Sequence, residues 1–185
     1  INFMKNFTSS NPFLLLFLVL FLFVGCESQP SEDLTLIDED MELATELADD
    51  YLTSTNGRRR NWVSITVIRL IGEDLYYATN TDKIRGYQKI DEETITALVS
   101  PGENVFWFAG TGVKSLDGIE FDEISQAKLE EQPSPAIEYR LWKVTVPEFG
   151  NVENEDLLKY DILYTKMDGE SVRLDPKLRV INKTE

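Results

Sequence analysis

The sequence predicts a mainly β fold, an antiparallel β-sandwich preceded by one amphipathic helix. From residue 58 onward, short runs alternate apolar with polar residues, the pattern of strands half-buried in a sheet. Turn-forming residues separate these runs at short intervals. Only one stretch, 36–57, repeats its apolar residues every three or four positions. A chain of 185 residues has room for one such domain without help from disulfides.

The first 25 residues stand apart. Residues 13–24 form an unbroken apolar run, FLLLFLVLFLFV, shorter than the roughly 18–20 residues a membrane-spanning helix needs and right for a signal-peptide core. Lys5 directly follows Met4 and supplies the positive flank, so Met4 is the expected start, with residues 1–3 upstream of it. The run ends in Phe23-Val24-Gly25-Cys26, and Cys26 is the only cysteine of the chain. This stretch resembles the lipobox of bacterial lipoproteins, with Phe23 where leucine is more usual. The resemblance implies cleavage between Gly25 and Cys26, and acylation (diacylglycerol, palmitate) of the Cys26 thiol. Each buried methylene contributes about 0.8 kcal/mol, so two or more acyl chains make a lasting membrane anchor. The expected location is the bacterial cell envelope, lipid-anchored at the outer membrane, on its periplasmic face or at the cell surface. A plain secretory signal ending near an unpaired cysteine is the alternative.

Residues 26–35 read as an acidic tether, hydrated and low in apolar content. Every charged residue between 27 and 55 is acidic. The stretch LIDEDMELATELADDYL (36–52) places Ile37, Met41, Ala44, Ala48, Tyr51 and Leu52 on one helical face. Asp38 is the expected N-cap, and Asn56-Gly57 the expected end. The Met41/Ala44/Ala48/Tyr51 stripe is expected to cover the sandwich, with Arg58, Arg59 and Arg60 beside the helix C-terminus; a helix ordered only by a partner is the alternative.

The sandwich is expected over 58–185. In WVSITVIRL (62–70), Val63, Ile65 and Val67 form the buried face, with Trp62, Ser64 and Thr66 on the other. DLYYAT (74–79) follows across Gly72 as a hairpin. TITALVS (94–100) and NVFWFAG (104–110) are joined by Pro101-Gly102-Glu103. GIEFDEI is a short strand, and AIEYRLWKVTVP (136–147) one long strand after the loop Pro133-Ser134-Pro135. KYDILYTKM and ESVRL flank Asp168-Gly169, a tight-hairpin signal, and PKLRVI closes the fold. These are about seven or eight strands, the complement of a sandwich. The arrangement of VSPGENVFWF with late hairpin strands resembles cupredoxin-like and immunoglobulin-like sandwiches. A helix followed by one curved antiparallel sheet, a cystatin-like α+β fold, is the alternative.

Composition narrows the chemistry. The net charge of −15 repels nucleic acid, so no nucleic-acid partner is expected. The chain has no histidine, which removes His-dependent triads and imidazole metal sites. A blue-copper centre needs two imidazoles and a thiolate, so the copper role of cupredoxins does not carry over. No cofactor, no metal and no catalytic residue are expected. GTGVKS (110–115) lacks the GxxxxGK[ST] spacing of a phosphate loop and sits among strands. Asp117 and Asp122 are a carboxylate pair of the type glycosidases use. NVENEDLLKYD (151–161) gathers acids without the EF-hand spacing. Phe106, Trp107 and Phe108 point to both faces of their strand. Trp62, on a polar sheet face, is the expected ligand contact, able to stack on a sugar ring or anchor a protein.

The expected function is therefore that of a lipid-anchored, non-enzymatic binding or assembly module, its partner a protein or a glycan. A glycan-binding surface lipoprotein is the first alternative, and a carboxylate-dependent hydrolase the second.

Overall fold

The computed structural model describes residues 32–56, 63–81, 86–91, 94–129, 131–148, 153 and 155–181. The signal segment, Gly25, Cys26, Arg58, Arg59, Arg60 and Trp62 lie outside the described residues. Among the described residues are two helices, α1 (Glu32–Asn56) and α2 (Glu123–Lys128), and eleven strands. The strands are β1 (Val63–Ile71), β2 (Asp74–Thr79), β3 (Gln88–Lys89), β4 (Ile95–Val99), β5 (Asn104–Ala109), β6 (Val113–Phe121), β7 (Ser134–Ile137), β8 (Leu141–Thr145), β9 (Leu157–Lys166), β10 (Ser171–Leu174) and β11 (Lys177–Val180). They form a sandwich. One sheet has the order β3-β2-β1-β5-β8-β7, the other β10-β9-β11-β4 with β6 on the far side of β9.

β5 lies at the centre, and all six of its residues are buried. Trp107 points between the sheets, where its indole nitrogen donates to the Tyr160 hydroxyl at 3.2 Å. Its ring lies 5.4 Å from that of Tyr160 and 6.3 Å from that of Phe121. Phe106 and Phe108 point the other way, into a second core shared with Ile65, Val67, Leu141 and the helix residues Ala44, Ala48 and Leu52. The six-stranded sheet is thus covered on both faces, by its partner sheet and by α1.

The helix docks through the Met41/Ala44/Ala48/Tyr51 stripe. Ala44 and Ala48 are fully buried, their small side chains allowing close approach. Met41 and Tyr51 pack at the margin, Tyr51 edge-on to Phe106 at 6.2 Å. Lys143 lies 5.7 Å over the Tyr51 ring. α1 begins at Glu32, so Asp38 falls inside the helix and does not cap it.

Local turn chemistry explains two hairpins and the tight crossing from β4 to β5 in the other sheet. Gly72, with φ 64°, turns β1 into β2. Gly169, with φ 94°, closes the four-residue connection of β9 to β10, where the Lys166 carbonyl accepts from the Gly169 amide at 2.9 Å. Ser100-Pro101-Gly102-Glu103 closes with a 3.1 Å bond from the Glu103 amide to the Ser100 carbonyl, Gly102 sitting at φ 78°. The buried Glu103 carboxylate secures the same turn by accepting from the Ser100 amide at 2.6 Å.

Four details of the expected sandwich change. Each sheet contains one parallel pair, β1 with β5 and β4 with β11, so the sheets are mixed and not purely antiparallel. Turn signals specify neighbours in sequence, whereas these pairs form between strands separated by crossings from sheet to sheet. The stretch 136–147 breaks at residues 138–140 into β7 and β8. The bend is made by Tyr139, at φ 62°, a conformation for which the sequence offers no glycine. GIEFDEI belongs to a longer strand, β6, and its end opens α2, where Asp122 caps by accepting from the Ser125 amide at 2.6 Å. Finally, Ser64 and Thr66 are fully buried, on the face that β1 turns toward the second sheet. Among the described residues their hydroxyl oxygens have no hydrogen-bond partner, a cost of about 1–3 kcal/mol for such a group. Two packed sheets, rather than one curved sheet on a helix, also separate the fold from the cystatin-like alternative.

Helix docking by burial predicts a graded response in thermal melts. Ala48→Asp places a charge in the helix–sheet core and is expected to cost more than about 2 kcal/mol. Met41→Asp, at the margin, should cost less, and Glu46→Ala, on the exposed face, should stay within about 0.5 kcal/mol. A chain beginning at Thr55 should melt lower; an unchanged melting temperature would show that the helix adds nothing to the sandwich.

Candidate functional site

The residues singled out in the sequence have mostly architectural positions. Phe106, Trp107 and Phe108 are all fully buried and unavailable to a ligand. Asp117 accepts from Ser115 Oγ at 2.7 Å and Thr165 Oγ1 at 2.6 Å, pinning the irregular pairing of β6 on β9. Asp122 caps α2. The two carboxylates therefore serve separate structural tasks. In the acidic stretch 151–161, Asp156 accepts from Lys128 Nζ at 2.5 Å and from the Glu153 amide at 2.7 Å. Asp161 receives the Arg173 guanidinium, which also reaches Glu120 at 3.2 Å. Among the described residues, no group of three or more His, Cys, Asp or Glu is placed to hold a metal ion.

Two acids show how these contacts bias titration. The Glu153 amide, followed by Lys128, holds the Asp156 carboxyl below its ordinary value of 3.8. Burial pushes Glu131 upward, but hydrogen bonds from Thr145 and the Lys143 ammonium outweigh it and leave the group lowered. Both groups are structural: Glu131 accepts from the Thr145 amide at 3.0 Å and from Lys143 Nζ at 3.3 Å, bracing β8.

Trp62, the expected ligand contact, lies outside the described residues. The face to which alternation assigns it is interior at Ser64 and Thr66. The structure offers a different candidate, a cleft of about 500 Å³ at the end of the sandwich where β5 finishes. Three loops and the helix contribute to it: Asp40 from α1, residues 110–112 between β5 and β6, Lys114, the turn 138–140, and Met167 at the β9–β10 turn.

The wall containing GTGVKS is not a phosphate cradle. The Gly110 amide donates to Ile68 O at 2.8 Å, the Thr111 amide to Asp40 Oδ2 at 2.8 Å, and the Val113 amide to Gly110 O at 3.2 Å. The glycines are there for close approach. A Cβ on Gly110 would lie 2.9 Å from both Asp40 Oδ2 and Val67 Cγ1, and one on Gly112 would lie 2.5 Å from Leu70 O. Gly112 also adopts φ 83°. The loop is thereby wedged between α1 and β1, and Asp40 is shared by the helix dock and the cleft.

The opposite wall presents Tyr139. Its left-handed backbone is held by bonds from the Leu116 amide to Tyr139 O at 2.8 Å and from the Arg140 amide to Ile137 O at 3.1 Å. Tyr139 is 59% exposed, and Met167 is 69% exposed. These are two of the five large apolar side chains exposed among the described residues, and Tyr139 is the one aromatic in that set. The neighbouring Glu138 carboxylate raises the Tyr139 phenol above its ordinary value. The Arg140 guanidinium lies 5.2 Å over the Phe108 ring. No motif in the sequence marks Tyr139; only the two glycines of 110–112 hint at the opposite wall.

Two measurements check this geometry. Gly112→Ala should destabilise by about 2–4 kcal/mol, through both the left-handed backbone and the collision with Leu70. Gly72→Ala, equally left-handed but facing open space, should cost about 1 kcal/mol; equal losses would mean that loop 110–112 is not wedged. The lowered Asp156 sets a pH dependence. Its folded value lies below its unfolded one, so its contribution is present above about pH 3.8 and is lost as pH falls further. Asp156→Asn should melt below the wild type at neutral pH, with the gap closing under acid; a gap independent of pH would contradict the assignment.

No protein-family model matches this chain and no curated protein matches it, which leaves the geometry of the cleft as the guide to what the molecule does.

Proposed function

We propose that this chain is a lipid-anchored, non-enzymatic binding module of the bacterial envelope, held at the outer membrane through Cys26 and working through the cleft beside Tyr139. The anchoring half is supported by the apolar run, by Phe-Val-Gly-Cys at its end, and by the lack of any other cysteine. No helix among the described residues is long and apolar enough to cross a membrane, and lipidation needs none. The polar residues between Cys26 and the start of α1 at Glu32 would serve as a short tether, shorter than the 26–35 expected from the sequence.

The observation that carries the binding half is the cleft itself, built by loops on a rigid sandwich and displaying an aromatic ring in a strained backbone conformation. Strain of this kind collects at sites selected for something other than stability. Hydrolysis by Asp117 and Asp122 draws no support, because both carboxylates are spent on architecture. The resemblance to cupredoxin-like and immunoglobulin-like domains supplies a scaffold, and sandwiches of this kind host many functions.

Intact-mass measurement of the membrane fraction tests the anchor. The expected product begins at Cys26 and carries the added mass of acyl chains, and Cys26→Ser should move the protein out of the membrane fraction. A free thiol, or a start well downstream of Cys26, would overturn the anchor. For the binding half, a photo-crosslinking residue at Met167 should capture an envelope component. The same residue at Glu148, beside Gly102 at the other end of β5, should not. Equal capture at both positions, or none at either, would overturn the cleft as the binding site.

A further inference from the structure

We propose that the cleft takes an uncharged carbohydrate, a pyranose ring lying on the exposed face of Tyr139 with its hydroxyls bonded to the charged side chains around it. This rests on the binding-module reading and names the class of ligand.

Charge is the first argument. The lining carries two acids, Asp40 and Glu138, and two bases, Lys114 and Arg140. A strongly anionic ligand would meet two carboxylates there, on a chain of net charge −15. A cationic ligand would meet two bases. A neutral polyol suits the set, since each hydroxyl both donates and accepts: carboxylates take its protons, while ammonium and guanidinium groups reach its lone pairs.

Backbone accounting is the second. Peptides are commonly bound by extending a sheet with main-chain hydrogen bonds. Around this cleft the Gly110, Thr111, Val113 and Arg140 amides are already bonded within the protein, as are the Ile68, Tyr139 and Arg140 carbonyls. A peptide strand would find these groups already taken, whereas a saccharide is read by side chains.

Aromatic geometry is the third. Tyr139 offers exposed aromatic surface, and Met167 offers soft apolar surface in the same cleft. A pyranose presents an apolar face of C–H groups with hydroxyls around its edge, which matches an apolar platform ringed by polar groups. A volume of about 500 Å³ suits one to three sugar units. Keeping a tyrosine where glycine would relieve the backbone implies a use for the ring.

The test is amide-resolved NMR titration of the folded protein with neutral gluco-, manno- and galacto-trisaccharides, beside trigalacturonate and an uncharged tripeptide. At least one neutral trisaccharide should shift the Gly112, Lys114, Tyr139 and Met167 amides saturably. Tyr139→Gly should raise the melting temperature and still weaken that binding about tenfold or more, while Tyr139→Phe should hold it within about threefold. Because the glycine variant relaxes the backbone, misfolding cannot account for its lost binding. Cleft shifts with trigalacturonate alone would overturn the uncharged class of ligand, and shifts with the tripeptide alone would overturn the carbohydrate, each leaving the binding module standing. No saccharide shift, or full binding by Tyr139→Gly, would also overturn it. Failure of the binding module itself would show separately, as absent capture at Met167.

Discussion

Burial of β5 on both faces is the constraint from which the rest of this architecture follows. A strand reading Asn-Val-Phe-Trp-Phe-Ala has no solvent side, so two separate layers must cover it. The partner sheet meets Val105, Trp107 and Ala109, and the helix meets Phe106 and Phe108. Uncovering either set would expose large aromatic surface, worth about 1.5–3 kcal/mol per side chain by transfer. The helix is therefore a wall of the domain and not an appendage, although its own sequence is strongly acidic.

The same constraint explains which features the sequence displayed and which it hid. Strands with clear alternation and glycine or proline turns, such as those around Gly72, Pro101-Gly102 and Asp168-Gly169, could be read directly, because turn chemistry and period are local properties. The helical stripe of Met41, Ala44, Ala48 and Tyr51 was legible for the same reason. Strand direction was not, since alternation looks alike in parallel and antiparallel pairs. On β1 the alternation misled: Ser64 and Thr66 resemble a solvent face, but both faces are interior, and the hydroxyl residues sit between the sheets.

The candidate site was harder to read than the fold. Its members come from positions 40, 110–114, 138–140 and 167, brought together only by the crossings between sheets. Tyr139 occupies a backbone conformation normally signalled by glycine or asparagine, so nothing around it announces a turn. The glycines at 110 and 112 were visible, but their purpose is contact with Asp40, Val67 and Leu70, which only the packed chain reveals. The absence of histidine limited the chemistry from the start, and of the carboxylate pair Asp117 bonds Ser115 while Asp122 caps α2.

Asp40 belongs to two structures at once. Its carboxylate receives the Thr111 amide, so the docked position of α1 and the shape of the loop lining the cleft are thermodynamically linked. Linkage is reciprocal: an occupant that favours the arrangement of residues 110–112 bonded to Asp40 must tighten the helix on the sheet by the same free energy. Helix and loop then respond as a single unit, and slower hydrogen exchange along α1 would report occupancy of a cleft that only one of its residues lines.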